Sequence, residues 1–140
     1  MEMFTQSPQQ TQALGEKIGL DLKKGKIKQR VLCFYGDLGA GKTTFIQGLA
    51  KGWGIKRRIT SPTFVFIKKY FPGFNHVDLY RIEKEEEVKG LGLKEMFFDP
   101  QAVTMVEWAE KIKNILPKER IDFYFDHISD KKRKITINYF

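Results

Sequence analysis

The stretch GDLGAGKTTF, Gly36 to Phe45, sets three glycines, a lysine and two threonines between an apolar run and a helical pattern. A turn would account for the glycines, which reach backbone angles closed to other residues, but it makes no demand for a lysine and hydroxyl groups directly behind them. Gly36, Gly41, Lys42 and Thr43 fit the pattern G-x-x-x-x-G-K-[ST] without a gap. With glycine at about 7% of residues, chance supplies such a match roughly once in two hundred chains of this length. The stretch reads as a phosphate-binding loop. In that reading the backbone of Gly36, Asp37, Leu38, Gly39, Ala40, Gly41 and the first helical residues through Thr44 turns its N–H groups around a β-phosphate. The helix that follows adds about half a positive charge at its N-terminus. Lys42 is then the compact cation for the β- and γ-phosphates, and the Thr43 hydroxyl is placed to ligate Mg²⁺.

The flanks agree with this reading. Val31 to Tyr35 (VLCFY) is continuously apolar, as a strand covered on both faces must be. From Lys42 to Trp53, Phe45, Ile46, Leu49, Ala50 and Trp53 recur on one helical face, and Gly52 and Gly54 mark its stop. Further out, Pro8 to about Leu22 predicts a short amphipathic helix capped by Ser7. Thr63 to Phe71 and His76 to Ile82, separated by PGFN, predict a strand hairpin. Glu83 to Phe98 reads as one or two short helices. Ala102 to Val106 is a second buried strand delivering Glu107 and Trp108, Glu110 to Leu116 a helix closed by Pro117, and IDFYFDHI with KITINYF a terminal hairpin. The fold class is therefore α/β: one P-loop NTPase-like domain over residues 1–140, a mixed sheet flanked by helices.

Composition narrows the class. The chain has 140 residues, 41% hydrophobic and 14% aromatic, enough for a packed core and too apolar for a disordered segment. No run approaches the roughly 20 apolar residues of a membrane span, and MEMFTQSPQQ lacks the layout of a secretory signal, so a soluble cytoplasmic protein is expected. The lone cysteine, Cys33, falls inside VLCFY and reads as a small buried hydrophobe. The net charge of +8 favours anionic partners, nucleotide or nucleic acid, and its basic residues cluster at Lys23 to Arg30, Lys56 to Arg58 and Lys131 to Lys134.

A P-loop that binds magnesium needs an acid at the end of a neighbouring strand, and two compete. Glu107 follows the more buried strand and is assigned to the metal. Asp78, in HVDLYR, is assigned to orienting or activating the attacking water, and the two roles can be exchanged on sequence grounds. Strand periodicity sets His76, Asp78 and Tyr80 on one face. The tetrapeptide TSPT, Thr60 to Thr63, reads equally as a turn or as a switch loop whose hydroxyls sense the γ-phosphate. Trp53 and Trp108 are most simply core or edge aromatics.

Taken in order, GDLGAGKTTF, SPTF, HVDLYRI, a glycine-broken acidic segment and VEW resemble the TsaE family, the ATPases of bacterial tRNA threonylcarbamoyladenosine synthesis. The resemblance runs from the first helix to the last hairpin. It implies a Mg-ATP site with Thr43 and Glu107 as magnesium ligands, Asp78 as the strand aspartate, and Lys42, Asp78 and Glu107 as the catalytic set. It moves Thr63 toward the switch role and Trp108 toward the nucleotide, and it implies that the first helix and the last hairpin near Lys131 close over the adenine. The implied partners are TsaD and TsaB, and the implied target is adenosine 37 of tRNAs reading codons that begin with A, with direct tRNA contact left open. A small-molecule P-loop kinase and a basic RNA-binding module are the rival readings. A GTPase is disfavoured because neither N-K-x-D nor D-x-x-G occurs.

Overall fold

Strand β1 (Glu2–Thr5) leads through the Ser7 cap into helix α1 (Pro8–Lys23), and β2 (Val31–Tyr35) leads through the glycine loop into α2 (Lys42–Trp53). β3 (Ile67–Tyr70), β4 (Phe74–Asp78), a 3-10 turn at Glu85–Val88, the short α3 (Leu93–Phe97) and β5 (Val103–Glu107) follow. A second 3-10 turn at Ala109–Ile112 precedes the hairpin of β6 (Ile121–His127) and β7 (Arg133–Tyr139). These elements belong to a computed structural model that describes residues 1–37, 39–59 and 67–140. Leu38, Thr63 and the switch-loop reading of residues 60–63 lie outside the described residues.

The strands form one mixed sheet in the order β1-β7-β6-β2-β5-β4-β3. β2, β4, β5 and β6 are mutually parallel, so their carboxyl ends share one edge and their amino ends the other. Alternation along β2 explains the two-sided burial of VLCFY. Leu32 and Phe34 join the core under α1 and α2, while Val31 and Cys33 join a second core with Val88, Leu93, Met96 and Ile112. Cys33 is buried, and that burial pushes its thiol pKa up, as expected of a hydrophobe rather than a reactive thiol.

α1 and α2 run side by side and in the same direction, and glycines set their spacing. A Cβ built on Gly15 would lie 2.3 Å from Phe45 O, one on Gly19 2.2 Å from Leu49 O, one on Gly48 2.1 Å from Gln12 O and one on Gly52 2.1 Å from Glu16 O. Only hydrogen side chains allow backbones this close. Both helices begin at the carboxyl edge of the sheet, so the seam that joins them also fixes where their N-termini sit.

Three elements differ from expectation. β1 was not anticipated: it has four residues, no apolar run, and takes its place by pairing with β7, with Glu2 and Lys134 ion-paired at 2.9 Å. β4 starts earlier and stops at Asp78, because Phe74 and Asn75 pair with Val103 and Thr104 while Leu79 and Ile82 close a turn. Of the helix expected from Glu110 to Leu116 only the part through Ile112 is helical, within the 3-10 turn Ala109–Ile112, and the N–H of Asn114 bonds the Glu85 carboxylate at 3.0 Å instead of a helical carbonyl.

Candidate functional site

The carboxyl ends of β2 and β5 are hydrogen-bonded neighbours, with Phe34 paired to Glu107, so the loop after β2 and the acid ending β5 are brought to one place by the ladder itself. Gly41 caps α2 at φ 99°, a left-handed conformation that a side chain would strain, and the helix N-terminus opens into a cleft of about 220 Å³. Gly39, Gly41, Lys42, Thr43, Thr44 and Glu107 line that cleft. Gly36, Asp37 and Ala40 shape the loop behind it, with the Ala40 N–H bonded to Asp37 O at 3.2 Å.

Lys42 is held in place. Its Nζ donates to Gly36 O at 2.5 Å and lies 4.2 Å from the centre of the Trp108 ring. Burial lowers its pKa, and the carboxylates of Glu107, Glu110, Asp78 and Asp37 oppose that shift. Trp108 reaches this position from a left-handed backbone (φ 60°), which is uncommon outside glycine and re-aims the chain as it leaves β5. Its ring also meets Tyr80, at 5.3 Å between centroids.

Glu107 is buried and its Oε2 lies 2.6 Å from Nε2 of His76, which is fully buried. This pair joins β4 to β5 and fixes the carboxylate. The expected grouping of His76 with Asp78 and Tyr80 therefore resolves differently: His76 serves Glu107, and Tyr80 lies beyond the strand. Asp78 is the cross-strand neighbour of Glu107 and accepts the Tyr80 N–H at 2.9 Å. It is half-buried and does not line the cleft. Burial raises its pKa, the Tyr80 N–H lowers it, the Glu107 charge raises it, and His76 and Lys42 oppose the rise.

The far wall comes from the two termini of the chain. Pro8, Thr11, Asp130, Lys131 and Arg133 complete the cleft. Thr11 is anchored by a 2.7 Å hydroxyl contact with Thr5, and Arg133 Nη2 donates to Gly39 O at 3.3 Å. The resemblance pointed to the first helix and to the region of Lys131. No motif singled out Thr11 or Asp130, and the signal for Arg133 was the basic cluster Lys131 to Lys134.

Among the described residues no group of three or more His, Cys, Asp or Glu side chains is arranged to hold a metal unaided. A magnesium ion shared with nucleotide phosphates needs fewer protein ligands, and one hydroxyl with one carboxylate, Thr43 and Glu107, fits that donor set on the rim of a single cleft. No helix among the described residues is long and apolar enough to cross a membrane.

Comparison with known proteins agrees with the motif order. The family model described as "Threonylcarbamoyl adenosine biosynthesis protein TsaE" matches residues 5–135. The chain is 44% identical over 135 residues to the tRNA threonylcarbamoyladenosine biosynthesis protein TsaE of Bacillus subtilis, covering 94% of this chain and 81% of that one. It is 33% identical over 139 residues to the protein of that name from Treponema pallidum, covering 98% and 99%. The crystal structure of Bacillus subtilis YdiB superposes with a TM-score of 0.75 at 37% identity, over 99% of this chain and 84% of that one. On sequence, motif order and fold together, the chain belongs to the TsaE family.

Proposed function

We propose that this protein is a Mg²⁺-dependent cytoplasmic ATPase that serves tRNA threonylcarbamoyladenosine synthesis by acting on a complex of TsaB and TsaD. Its relatives carry the name of that pathway. The observation that carries the ATPase part is the shared cleft, in which Lys42 stands at the N-terminus of α2 opposite Glu107, and Glu107 is itself fixed by His76.

In this reading Lys42 exchanges Gly36 O for phosphate oxygens, while the face of Trp108 keeps its ammonium at the mouth of the loop. The N–H groups that open α2 receive the phosphate charge without reorganising. Thr43 and Glu107 would hold Mg²⁺, which when bound neutralises charge on the β- and γ-phosphates. Asp78, one strand away, orients the attacking water, and its raised pKa brings it nearer to useful basicity. Thr11, Lys131 and Arg133 form the wall that faces the rest of the nucleotide. The Arg133 guanidinium donates to Ser129 O at 2.7 Å and to Gly39 O at 3.3 Å, contacts that hold it along that wall. Turnover in this reading is slow for the isolated protein and rises when partners complete the site.

The test is ATP hydrolysis measured with the protein alone and with TsaB and TsaD added. Slow phosphate release that accelerates with both partners is expected. Fast release indifferent to them would overturn the partner-dependent reading, and phosphate transfer to a metabolite without net hydrolysis would make the protein a kinase.

A further inference from the structure

The amino ends of the parallel strands form the edge of the sheet opposite the cleft, and the chain treats that edge differently. It is entered by residues 24–30, 71–73, 98–102 and 117–120, and α2 ends there at Trp53. Phe71 is 92% exposed and Phe98 72% exposed, more than any other aromatic side chain among the described residues.

Basic residues collect at the same edge, on the faces of the neighbouring, buried Trp53 and Tyr70 rings. Lys23 Nζ lies 4.8 Å and Arg30 Cζ 5.8 Å from the Trp53 ring centre, and Arg57 Cζ lies 4.8 Å from that of Tyr70. Trp53 Nε1 donates to Pro72 O, which ties the loop bearing Phe71 to the same cluster. Two open hollows run along the edge and meet at Asp99. One, of about 680 Å³, includes Lys69 and Phe71. The other, of about 570 Å³, includes Arg30 and Phe98. Among the described residues none of Lys23, Arg30, Arg57 and Lys69 has a carboxylate within ion-pair distance, although ion pairs form elsewhere on the surface. Of the acids at this edge, Glu119 is paired with Lys28, Asp99 accepts the N–H of Gln101, and Glu95 lines the larger hollow beside Asp99.

We propose that this edge is an RNA-docking surface, on which Phe71 and Phe98 stack unpaired bases while Lys23, Arg30, Arg57 and Lys69 hold the intervening phosphates. Cations resting on aromatic faces keep their charge available, as they would not in ion pairs. Rings that stand out from the surface suit bases, every one of which has a π-face, better than they suit an acidic peptide, which would leave their apolar area in water. The surface is remote from the nucleotide cleft and does not rest on ATP hydrolysis.

The experiment is fluorescence anisotropy of the full chain with a labelled single-stranded RNA and with a tRNA transcript, both without ATP. Binding is expected to fall steeply with salt, with a log–log slope near −3 for about four single-strand phosphate contacts. The Phe71→Ala, Phe98→Ala double variant should bind at least tenfold more weakly. An Arg57→Gln, Lys69→Gln double variant should flatten the slope by about 1.4. These side chains are exposed or lie at an edge, so circular dichroism and ATP hydrolysis should match those of the parent, which separates failure here from failure of the nucleotide site. No RNA binding at low salt, binding indifferent to both double variants, or equal competition by polyglutamate would each overturn the assignment.

Discussion

The seam between α1 and α2 and the cleft at their N-termini are adjacent, yet they are built on opposite terms. The seam is made by removal: Gly15, Gly19, Gly48 and Gly52 lack the side chains that would hold the helix backbones apart. The cleft is made by confinement: Lys42, Glu107 and His76 are polar groups held in a largely buried setting, each with a named neighbour. The first arrangement lowers the energy of the folded chain through contact. The second raises it through desolvation and is repaid only when a ligand arrives. Stability and function are therefore separable here by substitution.

The largest effect should come from the seam. An Ala for Gly exchange in an ordinary helix interior stabilises by roughly 1 kcal/mol. Gly48→Ala should do the reverse, because its methyl would lie 2.1 Å from Gln12 O and 2.9 Å from Glu16 N, both backbone atoms that cannot rotate away. A loss of about 3 kcal/mol, at the upper end for overpacking, is expected, visible as a melting temperature lower by roughly 10 °C. A variant that melts at or above the parent would show that the helices separate at little cost, and the seam would lose its role as a platform.

Lys42→Met should give the opposite pair of responses. The substitution keeps the buried stem and removes an ammonium whose burial is unfavourable, so thermal stability should hold or rise. Nucleotide affinity, measured by titration calorimetry, should fall about 10- to 100-fold, the range for losing a charge-assisted hydrogen bond to phosphate. A fall in melting temperature as large as that of Gly48→Ala would make Lys42 a structural residue and erase the contrast.

What could be read in the sequence follows the same division. The glycine loop, β2, α2 and β5 were legible because their signals are local: a motif without gaps, an unbroken apolar run, an apolar stripe at helical spacing. Glycines at positions 15, 19 and 48 carried no such signal, and Gly52, expected with Gly54 to mark the helix stop, lies inside α2 against Glu16 while Gly54 alone caps it. Within a helix such glycines read as weak points, and their purpose appears only when a second helix lies against them. The His76–Glu107 bond spans 31 residues of sequence and depends on β4 and β5 being neighbours in the sheet. β1 was missed because a four-residue edge strand draws its place from β7 rather than from its own pattern. The placement of Lys42, Thr43, Thr44 and Glu107 about one cleft was anticipated from residue chemistry, whereas the Arg133 contact with Gly39 spans 94 residues and required knowing that the last hairpin reaches the glycine loop.

The smallest expected effect lies between the two regions, at Asp78. Burial and the nearby Glu107 charge raise its pKa, outweighing the Tyr80 N–H and the positive neighbours. An acid whose folded pKa exceeds its unfolded value of about 3.9 favours the unfolded chain once it ionises. Below that unfolded value both states are protonated and the residue is neutral in the balance. As pH rises, the unfolded chain releases its proton first, so the folded state loses ground until the folded pKa is passed. Asp78→Asn keeps an oxygen for the Tyr80 N–H and removes the ionisation. Its urea midpoint, followed without nucleotide from pH 4 to pH 7, should therefore draw ahead of the parent as pH rises and then hold a constant lead. If the parent instead gains on the variant over that interval, its carboxylate is stabilised by the fold. Asp78 would then belong with the groups that hold the protein together and not with those held at a cost for the reaction.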